Sequence, residues 1–349
     1  MRTPIYRMPR EEALALLGRA TCLHLATTTP DGAPVLRALD AAIVDGCVAF
    51  HGARAGEKAA CLGRPAVVSA EEVVAHLPSY FVDPERACPA STLYRSAQVH
   101  GTLVEIADPA AKARALSALM ARWQPEGGYR PIDAEDPLYR GALAGVLVFG
   151  VSLEQVDGKA KLGQKRTPAE RLRIAEGLWR RGEPGDPAAI EALRAACPDT
   201  PVPGFLAAPA GTTLHAALPA AAAPEAAALL EDAYWWANGP RELLAHVHVA
   251  SQAWVGARDA AGRLVASARA VSDGKTAWIY DVIVERSWRG RGLGRRVTAL
   301  VLDHPAVRGA PIVKLATKDA QGLYARLGFV DGADRPRPYA TTEMVLARR

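Results

Sequence analysis

The residues best equipped for chemistry lie at Ser287 to Arg296, "SWRGRGLGRR", with glycine at 290, 292 and 294 and arginine at 289, 291, 295 and 296. Glycine at every second position weakens any helix or strand, so this density marks a place where something approaches the main chain closely. The run follows the apolar stretch "AWIYDVIV" and leads into "RGLGRRVTALVLDH". That order predicts a strand, a loop, and a helix that starts inside the loop. The first amides of a helix lack internal partners and sit at the positive end of its dipole, so with no side chains in the way and guanidinium groups nearby they suit a diphosphate. A dinucleotide-binding domain opens in the same way, but it places an acidic residue at the end of the next parallel strand, about 20 residues on. Asp303 lies instead in "LDHPAVRG", away from any apolar strand.

The elements that must hold this loop follow from periodicity. "EAAALLEDAYWWANG" and "PRELLAHVHVASQ" read as helical. "AWVGARD", "LVASARAVSD" and "AWIYDVIV" read as strands, with "AAG" and "DGK" as turns. Then come "PIVKLAT" as a strand and "DAQGLYARLGF" as a helix ending on glycine. His246 and His248 stand two apart on a predicted helix and so face different ways, which argues against a metal site there.

Upstream, residues 184–211 are rich in proline, glycine and alanine and read as a linker enclosing one short helix at "PAAIEALRAA". Residues 1–183 alternate short apolar runs with turn signals. "DG" at Asp45 and Gly46 predicts a hairpin, Asp108 with Pro109 the start of a helix, and "GALAGVLVFGVSLEQVDG" one strand. Short strands closing on themselves, with helices outside, predict a small β-barrel.

The 349 residues suffice for two domains, and 50% hydrophobic with 23% charged residues is a globular mixture. A net charge of +5 is too mild and too scattered to indicate nucleic acid. Five cysteines, odd in number and without paired spacing, indicate neither a disulfide framework nor zinc. No secretory or membrane-spanning apolar run is present, which gives the cytoplasm as the expected compartment.

The second half resembles the GNAT family of acyl-CoA N-acyltransferases. Its motif, Arg/Gln-x-x-Gly-x-Gly/Ala, matches Arg289, Gly292 and Gly294, and "LATKDAQGLYARLGF" resembles the strand and helix that follow it. The resemblance implies a mixed, mostly antiparallel sheet and acetyl-CoA as acyl donor. It also implies diphosphate contacts from Arg289, Gly290, Arg291, Gly292, Leu293, Gly294 and Arg295, and main-chain contacts to the pantetheine arm from Val282, Ile283 and Val284, on a strand that splays from its neighbour. Tyr324 matches the tyrosine that protonates the departing thiolate. Asp281 is the candidate base for the attacking amine, directly or through water. Arg269 and Asp273 are further candidates to line the acceptor cleft, as are Trp235 and Trp236.

The first half resembles the pyridoxamine 5'-phosphate oxidase-like FMN-binding split barrels. His51, Gly52, Ala53, Gly56 and Lys58 match a strand ending in His-Gly-Ala followed by a Gly-x-Lys turn. A phosphate needs a point cation and amide donors, which Lys58 and the turn would supply. Arg37, Arg54, Arg95, Ser96 and Gln98 are further candidates for FMN contact, and Lys161, Leu162 and Gln164 match the flavin-binding regulator branch. Deazaflavin and haem are cofactors of other members. The resemblance implies a homodimer through the barrel.

Together these readings give a two-domain α+β chain: a split barrel over 1–183, the linker over 184–211 and a GNAT domain over 212–349. The expected function is flavin binding combined with acetyl transfer from acetyl-CoA to a small-molecule or peptide amine. The alternatives are a flavin-binding regulator and an FMN-dependent reductase with an acyl-CoA-binding module.

Overall fold

The computed structural model describes residues 4–231, 233–236 and 240–334. It divides into two compact units: the residues up to Arg171 with Ala196–Pro198, and Leu172–Ala195 with the residues from Asp199 onward.

In the first unit, β1 (Leu23–Thr28), β2 (Pro34–Leu39), β5 (Pro65–Leu77), β6 (Ser91–Thr102) and β9 (Gln155–Lys161) form one sheet, in the order β2, β1, β5, β6, β9. A second sheet holds β3 (Ala42–Val44), β4 (Cys47–Ala53), β8 (Val146–Ser152) and β7 (Val104–Glu105), in the order β3, β4, β8, β7. All these pairings are antiparallel, and the two sheets do not join into a closed ring among the described residues, so the barrel is split. Asp45 and Gly46 take φ of 48° and 71° between β3 and β4, the two left-handed residues that a tight hairpin turn requires.

Packed with these sheets are α1 (Arg10–Arg19), α2 (Glu57–Ala60), α3 (Pro109–Trp123) and α4 (Pro137–Gly145). Asp108 caps α3 by accepting from the Ala111 amide at 2.8 Å. The stretch "GALAGVLVFGVSLEQVDG", expected as one strand, is divided: its first residues finish α4, the next form β8, and the last begin β9 in the other sheet. Asp136 starts α4 by accepting from the Leu138 amide at 2.9 Å, and the helix runs through alanine and glycine until valines favour a strand. Phe50 and Phe149, fully buried, stack at 5.7 Å in the core. Gly158 lets α1 lie against β9, since a Cβ there would meet Met8 and Ala13 at 3.0 Å.

The second unit takes most of α5 (Pro168–Arg181) and α6 (Asp186–Ala196), then β10 (Thr212–His215), α7 (Ala223–Leu229) and α8 (Arg241–Val249). After these come β11 (Ala253–Asp259), β12 (Leu264–Ser272), β13 (Thr276–Val284), α9 (Leu293–Asp303), α10 (Pro305–Arg308), β14 (Ile312–Lys314) and α11 (Gln321–Ala325). Its sheet runs β10, β11, β12, β13, β14, antiparallel except for the parallel pair β13/β14. α9 lies against β11 to β13 through its apolar stripe of Leu293, Val297, Leu300 and Val301. α7 and α8 bury Ala226, Leu230 and Leu244 in clusters with Trp254, Leu264 and Ile283. Within 184–211, α6 buries Ile190 and Leu193 completely, and Arg181 donates to Asp186 at 2.5 Å.

Candidate active site

Strand β13 supplies the first half of the site. Its pairing with β14 stops at Trp278 opposite Lys314, so from Ile279 to Val284 the edge toward β14 carries no ladder bonds. Val282, Ile283 and Val284 lie on this splayed stretch. A bulge sits opposite Ala268, where the register shifts between Ser267 and Arg269, and Asp281 takes φ of 51° there. This conformation suits aspartate better than most residues, and the strained turn aims its carboxylate at Arg269. Arg269 Nε donates to Asp281 Oδ2 at 2.6 Å, Trp235 Nε1 donates to Oδ1 at 3.1 Å, and the Asp281 side chain is 7% exposed.

The loop after β13 is fixed by its own residues. Glu285 accepts from the Ser287 amide at 3.1 Å, and Arg289 Nε returns to the Val284 carbonyl at 3.0 Å. Gly290 and Gly292 have φ of 76° and 83°, conformations that exclude a Cβ on backbone grounds, and the space above both is open. Gly292 is the N-cap of α9, and the first helix amide to bond back is Arg296 N, to Gly292 O at 3.1 Å. The amides of Leu293, Gly294 and Arg295 are therefore presented without main-chain partners. Leu293 contributes its amide alone, because its side chain is buried. Arg289, Arg291 and Arg295 are exposed, and Arg291 lies over the Trp288 ring at 4.7 Å.

Tyr324, on α11, closes the constellation. It is buried, packs edge-on to Phe329 at 5.9 Å, and its phenol is pushed above its ordinary pKa by burial and then by the nearby Tyr234 and Asp319. Tyr234 accepts from the Lys318 amide at 2.8 Å, which ties the segment before α8 to the loop before α11. Sequence reasoning missed Tyr234. Nothing in its neighbourhood along the chain signals a bond to a residue 84 positions away. Of the four acceptor-cleft candidates, Trp235 and Arg269 are both committed to Asp281, Trp236 packs against the cluster of Leu230, Leu244 and Ile283, and Asp273 holds a turn by accepting from the Lys275 and Thr276 amides at 2.9 and 2.7 Å. His246 is exposed and His248 fully buried, on different faces of α8.

In the first unit, Lys58 lies over β4: a Cβ on Gly52 would stand 3.2 Å from Lys58 Nζ. Arg37 is drawn to the same place by its ion pair with Glu57. Lys58 has no carboxylate partner among the described residues, so the donor set offers one uncommitted cation at a glycine-lined strand end. These residues fit a phosphate. His51, Ala53 and Arg54 are exposed around it, although Arg54 turns to Glu105 at 3.3 Å and to the Ala144 carbonyl at 3.1 Å. Arg95, Ser96 and Gln98 lie on β6 in the other sheet, where Arg95 donates to Glu72 at 3.3 Å. Strand alternation sends Arg95 to one face and Ser96 and Gln98 to the other, and no contact among the described residues links them to Lys58. Gln164 is used locally, accepting from Leu162 N at 2.7 Å and donating to Ala160 O at 2.8 Å.

Residues 9–160 match the family model described as pyridoxamine 5'-phosphate oxidase, and residues 215–329 match that of the acetyltransferase (GNAT) family. Each half of the chain thus carries a region that matches one of the two families. Among curated proteins, it is 34% identical over 87 residues to glucosamine 6-phosphate N-acetyltransferase 1 of Oryza sativa subsp. japonica, covering 24% of this chain and 53% of that one. It is also 42% identical over 86 residues to serotonin N-acetyltransferase 2, chloroplastic, of the same organism, covering 24% of this chain and 43% of that one. The chain thus spans about half the length of the curated relatives it matches. A solved structure of the FAD and heme binding protein from Mycobacterium smegmatis is similar at 24% identity, covering 48% of this chain and 78% of that one, with a TM-score of 0.38. No helix among the described residues is long and apolar enough to cross a membrane.

Proposed function

We propose that the second domain is an acetyl-CoA-dependent N-acetyltransferase acting on a primary amine. The observation that carries this reading is the row of amides at Leu293, Gly294 and Arg295 without main-chain partners, directly beyond a strand whose edge is unpaired. Those amides and the flanking arginines bind the coenzyme A diphosphate. The main chain of Val282 to Val284 receives the pantetheine arm, which sets the thioester between β13 and Tyr324. The amine nitrogen attacks the acetyl carbonyl carbon, the carbon–sulfur bond breaks, and the departing thiolate takes the Tyr324 proton. The proton shed by nitrogen passes to water, with Asp281 as the carboxylate at hand. The names of both curated relatives specify an amine nitrogen as acceptor, which supports the same reaction class here.

The first domain is proposed to hold FMN, with Lys58 and Arg37 at its phosphate and Gly52 leaving the room that lysine needs. A bound flavin supplies hydride or electron transfer. A homodimer through this domain and a cytoplasmic location belong to the same proposal. Release of free thiol from acetyl-CoA on addition of a primary amine tests the transferase reading. Tyr324→Phe should slow that release roughly 100-fold while acetyl-CoA binding is kept. Amine-independent release, or none, would contradict the reading.

A further inference from the structure

The chemical class of the acceptor is legible from the wall beside Asp281. Residues opposite one another in a ladder share a face, and the register places Arg269 opposite Tyr280, Val271 opposite Trp278, and Trp278 opposite Lys314. Trp278 and Tyr280 stack at 5.9 Å, and the Arg269 guanidinium lies 4.7 Å over Tyr280. The Arg269 and Asp281 pair then connects Tyr280 to Trp235, whose ring meets Tyr234 edge-on at 4.8 Å. A strip of rings therefore runs from beside Tyr324 down the face of β13, with Tyr234 47%, Trp235 42% and Tyr280 39% exposed. Partly exposed aromatic rings beside a reacting centre favour a ligand that is itself flat and apolar.

The charges narrow the class further. Lys314 lies 5.7 Å over Trp278, and Lys318 lies 5.5 Å over Tyr234. Neither lysine forms an ion pair among the described residues, so the strip is flanked by two cations. A polyamine, with several ammonium groups, is repelled there. A polyhydroxylated amino sugar needs several free donors and acceptors along the wall, but both Asp281 oxygens and the Arg269 Nε and Nη1 are bonded within the protein, to Arg269, Trp235, Asp281 and Ser251.

We propose that the acceptor is an aryl-bearing monoamine, its ring held by Trp235 and Tyr280 and its nitrogen presented toward Tyr324. This rests on the transferase reading above. The test compares 2-phenylethylamine, glucosamine 6-phosphate and spermidine as acceptors for the full chain with acetyl-CoA. The expected order puts 2-phenylethylamine ahead of the other two by about tenfold or more in kcat/KM. Trp235→Ala and Tyr280→Ala should each raise its KM about tenfold, Tyr280→Ala with little change in kcat and both with little change in the KM for acetyl-CoA, while Trp235→Phe, which keeps a ring, retains most of the affinity. Both side chains are partly exposed, and an unchanged melting temperature confirms that the variants fold. Preference for either of the other amines, or variants with unchanged KM for 2-phenylethylamine, would overturn the aryl assignment and leave the transferase standing. Absence of transfer to all three together with absence of acetyl-CoA binding would remove the transferase reading and this inference with it.

Discussion

Three residues decide whether the proposed chemistry can occur. Asp281 adopts a left-handed backbone at the bulge, and its carboxylate is held by Arg269 and Trp235 in a site only 7% exposed. Removing it strands a nearly buried guanidinium, so Asp281→Ala should lower stability by about 3 kcal/mol. Chemical denaturation checks this, and a midpoint equal to wild type would show that the pair contributes nothing. Burial holds the Tyr324 phenol above its ordinary pKa, so the proton it donates in the proposed reaction remains in place through neutral and moderately alkaline pH. Turnover should therefore show no Tyr324-linked decline until pH exceeds the ordinary phenol value of 10.0. A descending limb centred well below that value, and absent from Tyr324→Phe, would mean that the phenol lies in a different environment. At Lys58, replacement by alanine should cost the purified protein most of its flavin absorbance; full retention would move the phosphate elsewhere.

Among the elements, the packing of α5 against the end of α9 makes a measurable prediction. Trp179 stacks on Phe205 at 4.4 Å, donates to Asp303 at 2.7 Å and meets His304 edge-on at 5.6 Å. Burial depresses His304 to about 4, so the folded chain keeps this ring neutral where the unfolded chain protonates it near 6.5. The unfolded state then binds the extra proton, and stability present above pH 6.5 is lost as pH falls toward 4, by about 3 kcal/mol at full extent. His304→Asn, which can still cap α10, should flatten that part of the stability curve. An unchanged slope would place the titration in another group. Local signals of this kind were legible in the sequence: the Asp45–Gly46 hairpin, the Asp108 cap, and Gly290 and Gly292 each meet a backbone requirement that few residues satisfy. The helical end of α4 was hidden because alanine and glycine before a valine run fit either element. Trp235 with Asp281, 46 positions apart, and Tyr234 with Lys318 were invisible because only tertiary packing brings them together. The opposed faces of Arg95 and Ser96 follow from strand alternation, which a family pattern alone does not reveal.

For the whole chain, the boundary between units falls within α5, and α6 groups largely with the second unit. A fragment beginning at residue 172 should fold cooperatively, whereas one beginning at 212 lacks Trp179, Phe205 and the buried Ile190 and Leu193 and should melt lower or not fold at all. Equal melting temperatures would show α5 and α6 to be dispensable. The central claim is that main-chain amides beyond β13 grip the donor's diphosphate. Calorimetric titration of the intact chain with acetyl-CoA, beside Gly292→Val, tests it most directly, because valine cannot adopt the φ of 83° that opens the loop. Saturable binding by the wild type, weakened about tenfold or more in the variant, is the predicted result; no heat from the wild type, or equal affinity in the two, would contradict it.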